Sequence, residues 1–280
     1  MKKKLQRFQK RWMKKLKPLL DFAAAMEKKQ LSVIAASIAY FTLLAIFPGA
    51  AAGMAIALFV LEPSQVESMI QSVAVHLPDE IASMLSVVLS RQAGEGSNLI
   101  MAAVGVAIAL FGASGAMQNM TKALNTVFGA KETRGAVRLR LSSILLTIGV
   151  IILAAVVIGL LWLSYGRLAD WGVPGWLAVF VSLARWAAMV FVINGAFLLL
   201  FTYGANRETE PRSLSTPGSL FATGFWLAGT IAFFWYAQYF AGFAQSYSVF
   251  AGIIALMIWF NLSSLIILMG ALIDARSKKA

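Results

Sequence analysis

Residues 213–273 read SLSTPGSLFATGFWLAGTIAFFWYAQYFAGFAQSYSVFAGIIALMIWFNLSSLIILMGALI, 61 positions from Ser213 to Ile273 without one Asp, Glu, Lys or Arg. As a single helix this stretch would be about 90 Å long at ~1.5 Å per residue, roughly three times a hydrocarbon core of ~30 Å. It must fold back on itself. The small and polar residues Gly242 to Ser248, set between Phe240 and Phe250, mark the turn. Two membrane spans result, about 214–240 and 249–273.

Working outward, the same test finds four more spans. No charge occurs between Lys29 and Glu62, between Glu95 and Lys122, or between Arg140 and Arg167, and Arg185 is the only charge from Trp171 to Asn206. These runs place spans at about 31–60, 98–118, 142–163 and 177–202. The expectation is an all-α, polytopic membrane protein with six transmembrane helices. Composition agrees: 60% of the 280 residues are hydrophobic and 13% charged, against about 45–50% and about 25% in an ordinary soluble domain. The spans leave no room for a separate catalytic domain of roughly 100 residues.

Lys and Arg fix the expected orientation. Residues 1–30 carry 11 of them, 114–143 carry 5, 203–213 carry 2 and 274–280 carry 3, while the opposite connections hold only Arg91 and Arg167. Basic loops stay cytoplasmic, so both termini are expected inside, with 1–30 as a basic amphipathic segment, 62–95 as an external amphipathic loop and 274–280 as a basic tail. The net charge of +12 then reads as affinity for anionic phospholipid head groups at the cytoplasmic face, with membrane lipids as partners and no nucleic acid expected.

Chemistry is sparsely provided. There is no cysteine and one histidine, His76, so thiolate and His-cluster metal sites are excluded, and neither a G-x-x-x-x-G-K-[ST] loop nor an H-E-x-x-H motif occurs. No catalytic residue, metal or cofactor is expected. Arg185 lies nine residues past Trp176, about 13 Å into its span. Its guanidinium either snorkels outward or faces a polar cavity and holds an anion. Glu62, Asp170 and Asp274 sit only at span ends, which disfavours proton coupling through a buried carboxylate. Pro48 with Gly49 predicts a bent or broken first span. The small-residue patterns Gly105, Ala109, Gly112, Ala116 and Gly218, Ala222, Gly229 predict close helix contacts. The candidate substrate-binding residues are Arg185, Tyr40, Pro48, Asn125, Asn194 and Asn261; helix-to-helix hydrogen bonding is the competing reading for the neutral ones. Gly129 is placed to end the second long helix.

The run Ser37-Ile38-Ala39-Tyr40-Phe41-Thr42-Leu43-Leu44-Ala45-Ile46-Phe47-Pro48 resembles the first-span signature of the YihY/BrkB family of bacterial inner-membrane proteins. The likeness continues through Ala113-Ser114-Gly115, Ala123-Leu124-Asn125, Phe128, Glu132 to Arg134, Tyr203 with Asn206 and Arg207, Pro217-Gly218, Ala222-Thr223, Trp226, Trp259 and Leu268 to Ala271. Two positions depart from the family pattern: Tyr247-Ser248 stands where it has Tyr-Gly, and Leu272 where it has an acidic residue, with Asp274 the nearest carboxylate. The resemblance implies a six-span protein of the bacterial inner membrane. It also implies a transporter or lipid-handling protein for an amphiphile, with an anionic one the form that suits Arg185. A non-transporting membrane scaffold or complex subunit is the alternative, and ribonuclease BN-type tRNA processing, a label the family has carried, is a remote third.

Replacing Arg185 with Leu is expected to weaken retention of an anionic amphiphile by the gently solubilised protein, read by native mass spectrometry. Equal retention by both forms would remove Arg185 from the mechanism.

Overall fold

The computed structural model describes residues 17–18, 20–60, 99–162, 168, 170–207, 215–241 and 248–277. Residues 62–95, expected to form an external loop and holding His76, most of the basic N-terminal segment and the connection 242–247 lie outside the described residues. Every element is helical: α1 (residues 20–28), α2 (Leu31–Val60), α3 (Leu99–Phe128), α4 (Ala136–Trp162), α5 (Gly175–Leu199), a π-helical turn (Leu200–Gly204), α6 (Pro217–Ala241) and α7 (Ser248–Ser277). Among the described residues, four helical stretches are long and apolar enough to cross a membrane: Ala136–Leu161, Gly175–Gly204, Pro217–Tyr236 and Gly252–Ser277.

The distribution of side chains is inverted relative to a soluble protein. Phe180, Phe191, Phe225, Ile231, Phe234 and Trp235 are exposed, whereas Ser114, Thr121, Asn125, Asn194, Ser219 and Asp274 are buried. In water the first set would be costly and the second would stay outside. In hydrocarbon the arrangement is favourable: apolar side chains face lipid, and polar groups find one another between helices.

The long helices close into a ring in which each packs on its chain neighbours, α7 returns to α2, and α7 also reaches across to α3. The starts of α2, α4 and α6 and the ends of α3, α5 and α7 meet at one end. Lys29 Nζ donates to the carbonyl of Thr126, Arg134 reaches the carbonyl of Gly204, and Arg276 Nη2 donates to the carbonyl of Asp21. The core sits at this end, built from Leu31 and Ile38 of α2, Leu124 of α3, Phe201 of the π turn, Ala222 of α6 and Leu268 of α7. No residue of α4 belongs to it. Trp226 of α6 extends this packing towards its neighbours, edge-on to Phe197 with ring centres 6.2 Å apart, 5.9 Å from Trp259, and donating through Nε1 to Ser263 Oγ at 3.1 Å.

Two sequence expectations are narrowed. Of the bend or break expected at Pro48, the break is absent, because α2 runs continuously from Leu31 to Val60. Proline removes one donor, and in a low-dielectric environment the remaining backbone bonds are strong enough to carry the helix past it. The small-residue stripe of α3 makes no close contact at Gly112, where an added Cβ would meet nothing within 4 Å. In α6 the reverse holds: a Cβ on Gly218 would run into the backbone carbonyl of Gly270 and come within 2.6 Å of the Asp274 carboxyl carbon. A Cβ on Gly270 would come within 2.6 Å of the Gly218 carbonyl and 2.9 Å of Ala222 Cβ. Glycine at both positions lets α6 and α7 touch backbone to backbone.

Gly218→Ala is expected to destabilise the protein by about 1–3 kcal/mol, because backbone cannot step aside as a flexible side chain can. Gly224→Ala, where a Cβ meets nothing within 4 Å, should be neutral. Thermal unfolding midpoints of both variants in detergent check the contrast; equal midpoints would mean the α6–α7 contact is looser than drawn.

Candidate functional site

The polar chemistry collects at the end where the core sits, in two groups. The first grows from the end of α3. Gly129 takes φ +70°, a conformation glycine adopts without strain, and the Ala130 amide returns 2.9 Å to the carbonyl of Asn125, which terminates the helix. The turn leaves Asn125 facing inward, 4% exposed. Its Nδ2 donates to Glu132 Oε2 at 2.7 Å and its Oδ1 accepts the Asn206 amide at 2.6 Å. Asn206 Nδ2 in turn donates to the Lys131 carbonyl at 2.9 Å and to Thr133 Oγ1 at 2.8 Å. The loops after α3 and after the π turn are therefore one hydrogen-bonded unit.

Glu132 is the anion of this unit. Arg134 forks it through Nε to Oε1 and Nη2 to Oε2, both at 2.8 Å, and donates its own amide to Oε1 at 3.0 Å. The Arg134 guanidinium holds the Glu132 carboxyl below its ordinary value, with further support from the Arg134 amide and Asn125 and with partial burial opposing. Arg207 closes the unit, stacking 3.7 Å from the centre of the Phe128 ring while Nη2 donates to the Phe201 carbonyl at 2.8 Å.

The second group caps α6. Thr216 precedes Pro217 at the first helical position, and Thr216 and Ser219 bond each other reciprocally, amide to hydroxyl, at 3.0 and 3.1 Å. Asp274, 5% exposed in the last turns of α7, accepts the Gly218 amide and the Thr216 hydroxyl, each at 2.6 Å. A carboxylate at a helix N-terminus meets both orphan donors and the positive end of the dipole. Asn194 of α5 joins by donating through Nδ2 to Ser219 Oγ at 3.2 Å and Thr223 Oγ1 at 3.1 Å.

The sequence-selected residues are thus dispersed. Asn125 and Asn194 are buried in different hydrogen-bonded groups. Tyr40 is 49% exposed on α2, edge-on to Phe41, and Asn261 is half-buried on α7. Pro48 lies within α2, its side chain outside the described ones. Arg185 is half-buried in the half of α5 away from the core, beside Trp186, with Nη1 donating 3.2 Å to the carbonyl of Leu161 in the last turn of α4. The structure does not gather them around one cavity.

What sequence reading missed is a groove. Between α4 and α5 lies a half-open cleft of about 390 Å³, walled by Leu145, Gly149 and Leu153 on one side and Leu199, Leu200 and Tyr203 on the other. Its hydroxyls, Ser142 and Tyr203, both stand at the end that carries the loop unit. The legible signal was Arg138, Ser142, Leu145 and Gly149, spaced four, three and four residues apart along one face of α4.

The family model described as Virulence factor BrkB matches residues 22–280. The chain is similar to the ribonuclease-like protein YfkH of Bacillus subtilis strain 168, 30% identical over 247 residues, which are 86% of this chain and 87% of that protein. It is also similar to a UPF0761 membrane protein of Methylibium petroleiphilum, 26% identical over 273 residues, 94% of this chain but 62% of that longer relative. No solved structure matches.

Asn125→Ala is expected to lower the thermal midpoint, since the Asn206 amide loses its acceptor, at about 1–3 kcal/mol for a buried unpaired donor. Glu132 adds a pH dependence. Its folded pKa is depressed, so its stabilisation is complete above the ordinary glutamate range of about 4.3 and is lost as pH falls through the lower folded value. Midpoints measured from neutral to acid pH should fall less steeply in Glu132→Gln; identical acid limbs would disprove the contribution.

Proposed function

The chain belongs to the virulence factor BrkB family, and from that membership and the α4–α5 groove we propose that it is a six-span bacterial inner-membrane protein that binds and moves an amphiphile. Both termini lie in the cytoplasm. The basic residues Lys29, Lys131, Arg134, Arg138, Arg207 and Arg276 stand at the end where the helix termini converge, which supports placing that end inside. Anionic head groups at that face are its partners.

The observation that carries the reading is the groove itself. It is apolar along its length and polar at one end, which is the polarity of an amphiphile rather than of an ion or a sugar. It flanks the one long helix that contributes nothing to the core. For Asn125 a framework role is favoured over ligand binding, since both ends of its side-chain amide are engaged by protein. The word ribonuclease in the name of the Bacillus subtilis relative gains no support from the described residues, among which no three of His, Asp and Glu gather.

Reconstituted into vesicles, the protein is expected to speed movement of a fluorescent phospholipid between leaflets several-fold over empty vesicles. Equal rates, with a protein partner retained through purification, would favour a scaffold.

A further inference from the structure

We propose that the α4–α5 groove holds one acyl chain of an anionic glycerophospholipid from the surrounding membrane, with Arg138 binding its head group; this rests on the amphiphile reading above and names its ligand. From Ser142 to Leu153 the groove follows 11 residues of α4, about 16 Å at ~1.5 Å per residue, which is half of a ~30 Å hydrocarbon core and so the depth of one leaflet. Its volume of about 390 Å³ is too small for a partner helix, which at about 10 Å diameter fills roughly 1,300 Å³ over that length. A single flexible chain fits.

The polar end decides the head group. Arg138 is exposed one helical turn before Ser142 and on the same face of α4, which puts it at the end of the groove that Ser142 and Tyr203 line, within the reach of a long side chain. Of the charges nearby, Arg134 is neutralised by Glu132 at 2.8 Å. Lys131 and Arg138 are both exposed. Among the described residues the charge at this end is net positive, and a guanidinium holds a phosphodiester bidentately. At the opposite end the groove finishes on Leu153, with no polar side chain lining it there. The ligand therefore enters head towards Arg138 and chain towards the bilayer centre.

Gly149 makes the idea testable without unfolding the protein. It lines the groove, yet a Cβ built on it meets nothing within 4 Å, so Gly149→Leu starts into open space and takes up groove volume. Gly159 is equally open, on the same helix and outside the groove, and Gly159→Leu is the control.

The full chain is placed in phosphatidylcholine nanodiscs containing phosphatidylglycerol with a photoactivatable acyl chain, or the matching phosphatidylcholine probe, and adducts are mapped by peptide mass spectrometry. Adducts are expected on Leu145, Leu146 and Val150, falling several-fold in Gly149→Leu and unchanged in Gly159→Leu. Phosphatidylglycerol should label more than phosphatidylcholine, and Arg138→Glu should abolish that preference. Adducts indifferent to Gly149→Leu, equal labelling by the two probes, or a preference lost in Arg185→Leu rather than Arg138→Glu would each overturn the proposal. Leaflet exchange is followed in parallel: groove labelling without exchange sinks transport and leaves the lipid site, whereas exchange without groove labelling sinks the site and leaves transport.

Discussion

A helix that begins in apolar surroundings has amide donors that neither its own turns nor water can satisfy, and the start of α6 shows how this chain meets that constraint. Gly218 and Gly270 bring two backbones into contact, leaving no space for solvent. The Gly218 amide must then find a protein acceptor, and Asp274, one turn along α7 from Gly270, provides it. Contact and cap enforce each other: the glycines allow the approach, the approach excludes water, and the exclusion requires the carboxylate. Ser219 passes the constraint to Asn194 and so to α5. The same end of the bundle holds the core and the Asn125 unit, so the register of α3, α5, α6 and α7 is set within one layer.

How much of this could be read from the residues follows from range. Helix existence is local: charge-free runs and their lengths announce it, and the small-residue spacing of Gly218 and Ala222 announces a close contact that the structure contains. The helices continue beyond the apolar runs at the basic end, α4 starting at Ala136 with Arg138 and Arg140 already in it and α3 reaching Phe128 past Lys122. A scan for charge-free windows stops where lipid stops, whereas a helix stops where its capping does. Pairings such as Asn125 with Asn206, 81 residues apart, depend on which helix ends meet and leave no periodic trace. Asp274 was visible as a carboxylate at a span end, but nothing local said that a second helix begins against it.

Pro48 and Gly112 mark where general rules were overridden by surroundings. A proline-glycine pair is a helix breaker in water because the freed carbonyl can turn to solvent. Within lipid no alternative partner exists, so continuing the helix is the less costly course. A glycine stripe permits close packing but does not compel it, and at Gly112 an added Cβ would meet nothing within 4 Å.

The weak attachment of α4 accounts for a groove beside it. Its buried face is Leu139, Ser143 and Thr147, and the two hydroxyls return to carbonyls of their own helix, Ser143 to Leu139 and Thr147 to Ser143, each at 2.8 Å. They therefore bind α4 to nothing. Its side-chain hydrogen bonds to other helices among the described residues lie at its ends, where Arg140 Nη2 donates to the Phe111 carbonyl at 2.7 Å and Leu161 accepts from Arg185. Between those pins α4 meets α5 through apolar surface alone, and in a bilayer that surface gains nothing by choosing protein over lipid, since there is no water to escape. A lipid chain competes with α5 for the flank of α4 on nearly equal terms, and a helix fastened only at its two ends can accept it without loss of a single hydrogen bond.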